Sequence, residues 1–411
     1  MSNGGTIRSR SPLWWPTTIW LLSTRDRSEQ IRATMKTVLI LSFSNLQRDP
    51  RVRRHAQALE GQFRVVTAGY GGAPGYGDEH VEIPEPGRSS LPKKMAKALC
   101  LLFRLYAAVF WLDTDKRAAL QRLKGQQFDL IIANDASALP VAFSLSGQQV
   151  PVVADMHEFA PGEQLSGWKW NLFWKGYPRY LCRRFLPRAN HVLTVCDSIA
   201  ELYRQEFLAT LPDVLMNCPS YIEAAPQQVG EKIRLIHHGL GCPSRKLELM
   251  AEAALQLDER FEFDFMLVES DSAYCQWLRE TYAGERIRFR EPVPMPSIPQ
   301  VLNRDYDIGV FLLEPEAINY KYALPNKLFE FMQARLAIAV SPSHEMARLV
   351  RSTEVGVVAD DFSSAALAQA LNALDKATIM SMKQASAVAA QRYCAETVYS
   401  DFKRLADALT R

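Results

Sequence analysis

The sequence has 411 residues, 48% of them hydrophobic and 23% charged, and a formal net charge of +3. This length allows two or three domains with large cores, and the composition is that of a globular protein without low-complexity segments. A net charge this small excludes nucleic acid as the leading partner, since nucleic-acid-binding domains are usually strongly basic. The seven cysteines include no Cys-x-x-Cys pair, which favours reduced thiols in a cytoplasmic protein over a disulfide framework or a zinc site.

The first 34 residues are unlike the rest of the chain. A short apolar run at residues 13–22, preceded by arginines, superficially resembles a signal peptide. It is interrupted by Pro16 and is shorter than the ~20 residues of a membrane-spanning helix. Because Met35 directly precedes the first predicted strand, we interpret residues 1–34 as a poorly structured leader or a mis-assigned start. The alternative is a weak interfacial anchor formed by the tryptophans.

After Met35 the chain alternates short apolar runs with helical patterns, which is typical of parallel sheets covered by helices on both faces. The predicted strands are residues 38–43, 63–68, 130–133, 152–155, 191–195 and 214–216, then 233–238, 263–268, 287–289, 308–313, 337–340 and 355–358. Six runs in each half predict an α/β protein with two Rossmann-like, doubly wound domains facing a cleft, rather than one barrel. The predicted domains are residues 35–220 and 221–378. Residues 379–411 are predicted helices, and packing back onto the first domain is one arrangement open to them.

The first predicted strand leads into a basic helix. Asp49 suits an N-cap and Pro50 a first helical position. Four arginines stand at this helix mouth, namely Arg48, Arg51, Arg53 and Arg54. They could meet an anionic acceptor, and for at least two of them a solvated basic face is the simpler interpretation.

Ligands of doubly wound sheets bind outside the carboxyl ends of the strands. His157 follows one such strand and could hydrogen-bond a sugar hydroxyl or a developing charge, although a structural histidine is the alternative. Gly239 ends another strand and lets a ligand approach the backbone closely. Arg245 and Lys246 follow it, and these two side chains could grip a phosphate by a bidentate contact and a point charge.

The segment Ala-Leu-Pro-Asn-Lys-Leu-Phe-Glu-Phe-Met, at residues 323–332, follows a further strand and opens a helix. Pro325 is predicted at the first helical position, where the free N–H groups and the helix dipole favour an anion. Lys327 adds positive charge, and Glu330 offers two acceptor oxygens about one turn further on, which suit vicinal hydroxyls. A diphosphate and a ribose at these places make half of a nucleotide-sugar site. An ordinary helix start is the alternative.

Two other motifs fail as ligand sites. The glycines at residues 69–77 do not fit the dinucleotide fingerprint G-x-G-x-x-G, because its third glycine falls on Pro74. Asp-x-Asp occurs at 113–115 and 305–307, but a two-residue pattern arises by chance. We therefore predict neither a metal nor a cofactor.

Together these segments resemble the retaining GT-B-fold glycosyltransferases of family four. The resemblance extends from about Lys36 to the last helix. Its similar pieces are D-P-R-V-R-R at 49–54, D-M-H-E at 155–158, T-V-C-D-S-I-A at 194–200, M-N-C-P at 216–219, H-H-G at 237–239, D-I-G-V at 307–310 and the segment 319–332. Each is loose alone, whereas their order and spacing are fairly specific.

The resemblance implies a role for each site residue. Glu330 would hold the donor ribose, and His157 would lie beside the transferred sugar. Arg245 and Lys327 would bind the diphosphate and stabilise its departure without metal. The remaining predicted donor contacts are Gly239, Lys246, Asn319, Leu324 and Asn326.

The chain departs from the family pattern in three places. Tyr322 stands where the family often has a second glutamate, so Asn319 or Glu316 is a possible substitute. Met250 stands where a lysine is common, and the glycine-rich turn expected after residue 268 is absent.

The acceptor side gives fewer signals. Residues 91–112 are predicted as one helix with basic residues beside a broad apolar surface. Such a helix either lies on an anionic bilayer or packs on the sheet with its lysines solvated. The predicted activity is retaining transfer from a nucleoside-diphosphate sugar to a cell-surface polysaccharide or a lipid-linked oligosaccharide. The alternatives are a nucleotide-sugar epimerase of the same fold and a non-catalytic partner in polysaccharide assembly.

Overall fold

The structure is a computed structural model that describes residues 35–147, 149–162 and 173–411. The predicted leader at residues 1–34 lies outside the described residues.

The first domain is built on a seven-stranded parallel sheet. Its strands are β1 Thr37–Asn45, β2 Arg64–Tyr70, β3 Glu79–Ile83, β4 Leu130–Asn134, β5 Val152–Met156, β6 His191–Thr194 and β7 Asp213–Val214. Six of them match the sequence prediction, and β3 was missed. It is an edge strand, paired with β2 alone among the described strands and mostly half exposed. Its polar sequence Glu-His-Val-Glu-Ile therefore lacks the apolar run of a buried strand.

The described helices of the first domain are α1 Pro50–Leu59, α2 Leu91–Leu102, α3 Tyr106–Trp111, α4 Thr114–Leu123, α5 Leu139–Ser146, α6 Gly176–Phe185 and α7 Asp197–Glu206. The single helix predicted over residues 91–112 is therefore wrong in one respect, because the chain breaks it into α2 and α3. The break is at Arg104, whose φ of 55° is left-handed and incompatible with a continuous helix.

The second domain has a six-stranded parallel sheet. Its strands are β8 Ile233–Gly241, β9 Phe261–Glu269, β10 Ile287–Arg290, β11 Ile308–Phe311, β12 Ala337–Val340 and β13 Gly356–Val358. Its helices are α8 Glu248–Leu255, α9 Ser272–Tyr282, α10 Ile298–Asp305, α11 Ile318–Lys321, α12 Asn326–Gln333, α13 His344–Thr353, α14 Ser364–Asn372 and α15 Lys376–Arg392. The last helix of the chain is α16 Ala395–Leu409.

The strand order places a crevice in each domain. The first sheet runs β3-β2-β1-β4-β5-β6-β7, and the second runs β10-β9-β8-β11-β12-β13. The order reverses between β1 and β4 and between β8 and β11, so the connections leave these strand ends in opposite directions. The predicted class of two Rossmann-like parallel-sheet domains is confirmed.

Both faces of the first sheet are buried. Leu39 and Leu41 of β1 join one apolar cluster, whereas Val38 and Ile40 join the cluster on the opposite face, as the period of two requires. On that second face α16 packs against α1, with the ring of Phe402 4.7 Å from that of His55. None of the helices in the described ranges is both long and apolar enough to cross a bilayer.

The second Asp-x-Asp motif has a structural explanation. Asp307 is buried, and its Oδ1 accepts a hydrogen bond of 2.8 Å from the ammonium of Lys383 on α15. Its Oδ2 accepts from the backbone N–H of Arg234 at 3.0 Å. Asp305 is paired with its neighbour Arg304. The pair Asp307–Lys383 therefore ties α15 to the sheet of the second domain.

Replacing Lys383 by Met should destabilise the second domain, because it leaves the buried Asp307 carboxylate without its countercharge. We expect a loss of about 3–5 kcal/mol in the free energy of unfolding, measured by denaturant titration. Lys376→Met on the exposed first turn of the same helix is the control, with an expected change within about 0.5 kcal/mol. Equal effects of the two substitutions would contradict the assignment.

Candidate functional site

The end of β8 carries a glycine that the local packing requires. Gly239 has a φ of 129°, which L side chains rarely adopt. A Cβ atom built on it would lie 3.1 Å from Nζ of Lys327. Gly239 therefore lets the lysine of α12 lie directly over the end of β8.

Lys327 is held between apolar neighbours and another cation. Its ammonium lies 4.0 Å from the centre of the Phe311 ring, at the end of β11. Burial and the positive charge of Arg245 lower the pKa of Lys327 to about 7, against a smaller opposing effect of Glu330. Among the described residues no carboxylate forms an ion pair with it. An anionic ligand at this place would therefore stabilise the protonated form of a lysine that no carboxylate pairs with in the described part of the chain.

Arg245 lies beside Lys327 at the same edge of the sheet. Its guanidinium stacks on the ring of Tyr320 at 4.9 Å, and the Tyr320 hydroxyl donates to Ser244 Oγ at 3.3 Å. No carboxylate in the described ranges pairs with Arg245 either. Two basic side chains of adjacent strand ends thus face one place without a paired carboxylate, an arrangement suited to an anionic ligand such as a diphosphate.

The helix start differs from the prediction by one residue. α12 begins at Asn326, and Pro325 is its N-cap rather than its first helical residue. No side chain caps the first turn, so its amides remain available for an anion between Leu324 and Lys327. This shift of one residue does not change the predicted anion site, because the N-cap residue lies at the same end of the helix.

Glu330 lies one turn into α12 and is buried, with 7% of its surface exposed. Burial raises the pKa of Glu330, while Arg54 and Lys327 oppose the rise. Its Oε2 lies 3.4 Å from Nε2 of His238. Burial and Lys327 lower the pKa of His238 to about 3, so this histidine is neutral. A buried carboxylate so weakly satisfied is suited to accept hydrogen bonds from ligand hydroxyls.

Lys246 is placed differently from the expectation of a free phosphate ligand. Its ammonium is paired with both Glu314 and Glu316, and the hydrogen bonds that it donates to these carboxylates raise the pKa of Lys246. Its charge is therefore compensated inside the protein. The arrangement favours Arg245 and Lys327 over Lys246 as diphosphate ligands. The same ion pair engages Glu316, which the sequence analysis named as a possible substitute for the missing glutamate.

Asn319 connects the two domains. Its Oδ1 accepts from the backbone N–H of Phe159 at 2.9 Å, and its Nδ2 donates to Oε2 of Glu158 at 3.0 Å. Tyr322 lies with its ring 6.0 Å from that of His344 and packs against the apolar cluster of the first domain. A contact of Asn319 with the donor stays a prediction, since its side chain is already engaged between the domains.

His157 stands at the end of β5, on the first-domain side of the cleft. Its Nε2 lies 3.1 Å from Oδ2 of Asp155, and its Nδ1 lies 3.6 Å from Oδ2 of Asp135. Burial would lower the pKa of His157, but the two carboxylates raise it to about 9. His157 is therefore an imidazolium near neutral pH, and 21% of its side chain is exposed.

Beneath His157 lies a buried ion pair. Arg51 of α1 donates through Nε to Oδ2 of Asp155 at 2.8 Å, with a second contact to Oδ1. Arg54 donates to the carbonyl oxygen of Asn217 at 2.8 Å. The suggestion that this helix mouth offers its arginines to an acceptor or to solvent is wrong for Arg51 and Arg54, because both are buried in protein contacts.

Asp135 and His238 were missed by the sequence analysis. Asp135 directly follows β4 and has a left-handed φ of 66°, an uncommon conformation outside glycine. His238 is the last residue of the predicted strand at residues 233–238, which in the structure continues to Gly241. In both cases the signal was a polar residue at the carboxyl end of a predicted strand.

The described residues contain no group of three or more His, Cys, Asp or Glu that could hold a metal ion. The first Asp-x-Asp motif is accounted for by other contacts: Asp113 is paired with Lys97, and Asp115 with Lys116 and the Tyr70 hydroxyl.

Two parallel-sheet Rossmann-like domains with strand ends facing one cleft define the GT-B architecture of glycosyltransferases. Residues 50–218 match the family model described as a glycosyl transferase 4-like domain. This match agrees with the resemblance to family-four GT-B glycosyltransferases inferred from the motifs, whereas retention stays a prediction.

Solved structures share the whole two-domain fold. Sucrose-phosphate synthase from Thermosynechococcus elongatus matches with a TM-score of 0.69 and 15% identity, covering 91% of this chain and 99% of that chain. HepE from Anabaena in complex with UDP-glucose matches at 0.66 and 15%, covering 90% and 99%. The alpha,alpha-trehalose 6-phosphate synthase from Burkholderia multivorans matches at 0.60 and 9%, covering 91% and 97%. Identities this low establish the fold alone. A search of curated proteins gave no significant match.

Replacing Asp135 by Asn should lower the pKa of His157 without disturbing the fold. Asn tolerates a left-handed φ and keeps the side-chain shape, but it removes one of the two carboxylates that hold the imidazolium. NMR titration of the histidine ring should show His157 losing its proton at a lower pH than in the unmodified protein.

Asp213→Asn is the matched control for this titration, because it removes the carboxylate 2.8 Å from the ring of another histidine, His191. It should leave His157 unchanged. An unchanged His157 titration in Asp135→Asn would contradict the proposed origin of its charge.

Proposed function

We propose that the protein is a glycosyltransferase that moves a sugar from a nucleoside-diphosphate sugar to a hydroxyl of a saccharide acceptor. The observation that carries this proposal is the pair of uncompensated cations, Arg245 and Lys327, at the mouth of α12, with the buried Glu330 one turn away. The two cations and the helix mouth suit a diphosphate, and the carboxylate suits a ribose. The binding of UDP-glucose by HepE supports this kind of donor.

The chemistry divides between the two domains. The bond between the sugar C1 and the diphosphate oxygen breaks, and a bond from C1 to the acceptor oxygen forms. Arg245, Lys327 and the first amides of α12 stabilise the negative charge of the leaving diphosphate, so no metal is required in this scheme. The acceptor proton passes to that diphosphate. His157 donates a hydrogen bond to the transferred sugar from the opposite side of the cleft.

We further propose that the sugar keeps its anomeric configuration, with departure and attack on the same face and no protein nucleophile. The acceptor is a cell-surface polysaccharide or a lipid-linked oligosaccharide, reached from the cytoplasm. Retention and this acceptor class rest on the family resemblance.

Tyr322 favours a second candidate, a non-catalytic partner that binds the nucleotide without turnover. Its ring stands in place of the acidic side chain often found at this position. Incubation with donor alone and with donor plus acceptor separates the possibilities: transfer needs both, epimerisation needs the donor only, and a non-catalytic partner shows neither.

Glu330→Ala should weaken nucleoside-diphosphate binding by about 1.5–3 kcal/mol, or roughly tenfold to more than a hundredfold, through loss of the charge-assisted hydrogen bonds to ribose. A thermal-shift panel with UDP, GDP, ADP, CDP and dTDP first identifies the nucleotide, and calorimetry then gives both affinities. Glu280→Ala, at an exposed helical position of the same domain, serves as the control. Unchanged affinity in a folded Glu330→Ala protein would overturn the ribose assignment.

Nucleotide binding should take up a proton above pH 7. The free protein holds the pKa of Lys327 at about 7, and a bound diphosphate raises it by adding negative charge beside the amine. Affinity should therefore fall between pH 7 and pH 9, by at most about tenfold per pH unit. Calorimetry in buffers of different ionisation enthalpy measures the uptake.

Two variants test whether Lys327 causes this pH dependence of nucleotide affinity. Lys327→Arg keeps a permanent charge, so binding should persist while the dependence disappears. His157→Gln should retain the dependence, since the pKa of His157 is about 9 and its ring belongs to the other domain. An affinity that stays constant from pH 7 to pH 9 in the unmodified protein would refute the prediction.

A further inference from the structure

An apolar strip covers the outside of the first domain. Six large apolar residues within one short segment are 55–71% exposed: Leu91, Met95, Leu99, Leu102, Phe103 and Leu105. Scattered single apolar residues on a surface are ordinary, whereas a contiguous set marks a contact surface.

The direction of these side chains is set by α2. Its residues 91, 95, 99 and 102 fall within about 80° of one another at ~100° per residue. The other side of the helix faces the protein, where Leu101 is buried and the ammonium of Lys97 donates to Asp113 at 2.8 Å. α2 is thus an amphipathic helix whose apolar face is turned to solvent.

A basic groove continues this strip. It lies between α3 and α6 and has a volume of about 680 Å³. Of the lining residues that the structure describes, five are cationic and none is acidic: Arg104, Lys175, Arg179, Arg183 and Arg184. Arg104 lies in the chain between the exposed Phe103 and Leu105, so strip and groove are one surface. Among the described residues, one carboxylate forms an ion pair with a member of this set: Glu206 pairs with Arg179.

We infer that this strip-and-groove surface binds an anionic lipid bilayer. Apolar side chains on a surface helix insert at the acyl boundary, while neighbouring lysines and arginines reach the lipid phosphates. A second copy of the chain fits less well, because a two-fold contact would bring the basic grooves of both copies together. The inference does not depend on the proposed glycosyl transfer, whose donor groups belong to the second domain.

Flotation of the full 411-residue protein tests the inference, using phosphatidylcholine vesicles with and without phosphatidylglycerol. We expect binding only to the anionic vesicles and a marked loss at high salt. Leu99→Glu with Phe103→Glu should lower the partition coefficient at least tenfold, since each side chain stops contributing apolar burial. Arg183→Glu should lower it about fivefold or more.

Val388→Glu and Lys376→Glu, at exposed positions of the second domain, are the matched controls and should bind as the unmodified protein does. The thermal unfolding curve without nucleotide, measured on every variant, shows that each is folded and keeps this test separate from the donor site. The inference is overturned by absent binding, by equal binding to neutral vesicles, or by α2 variants that bind normally. It is equally overturned if these variants abolish a dimer in solution while lipid binding is unaffected.

Discussion

The order of the parallel strands decides where the polar groups of this protein can meet a ligand. In each sheet the connections leave two central neighbours in opposite directions, β1 and β4 in one domain and β8 and β11 in the other. The loops diverge at those strand ends and leave a crevice that helices do not cover. Asp135, Gly239 and Lys327 stand at or over such ends, and His157 follows β5, the strand next to β4.

The two sides of the cleft treat buried charge in opposite ways. The first domain pairs its charges: Arg51 holds Asp155, and Asp155 with Asp135 holds the His157 imidazolium. The second domain leaves Arg245 and Lys327 facing one another without a carboxylate between them, at a cost in stability that burial increases. The charges of the first domain are paired, whereas the basic side chains of the second domain have no carboxylate partner. This difference favours an anionic ligand in the cleft between the two domains.

Much of this arrangement was accessible from the sequence, because buried parallel strands are continuous apolar runs and the residues after them are at the ligand edge. Twelve predicted runs correspond to strands. The edge strand β3 lacks an apolar run, and the break at Arg104 depends on one left-handed residue. The engagement of Lys246 with two glutamates, and of Asn319 with the first domain, depends on which loops meet in three dimensions. The local periodicity of apolar residues does not predict contacts between loops that are far apart in the sequence.

The amide of Asn319 gives the cleft a mechanical property. It fastens α11 to the backbone of Phe159, and only a few residues separate α11 from the start of α12, where Lys327 lies. Opening of the two domains must either break this fastening or pull on the helix mouth. By linkage, a nucleotide that held α12 in one position would also favour the domain arrangement in which this hydrogen bond forms, and that arrangement would strengthen nucleotide binding by the same factor.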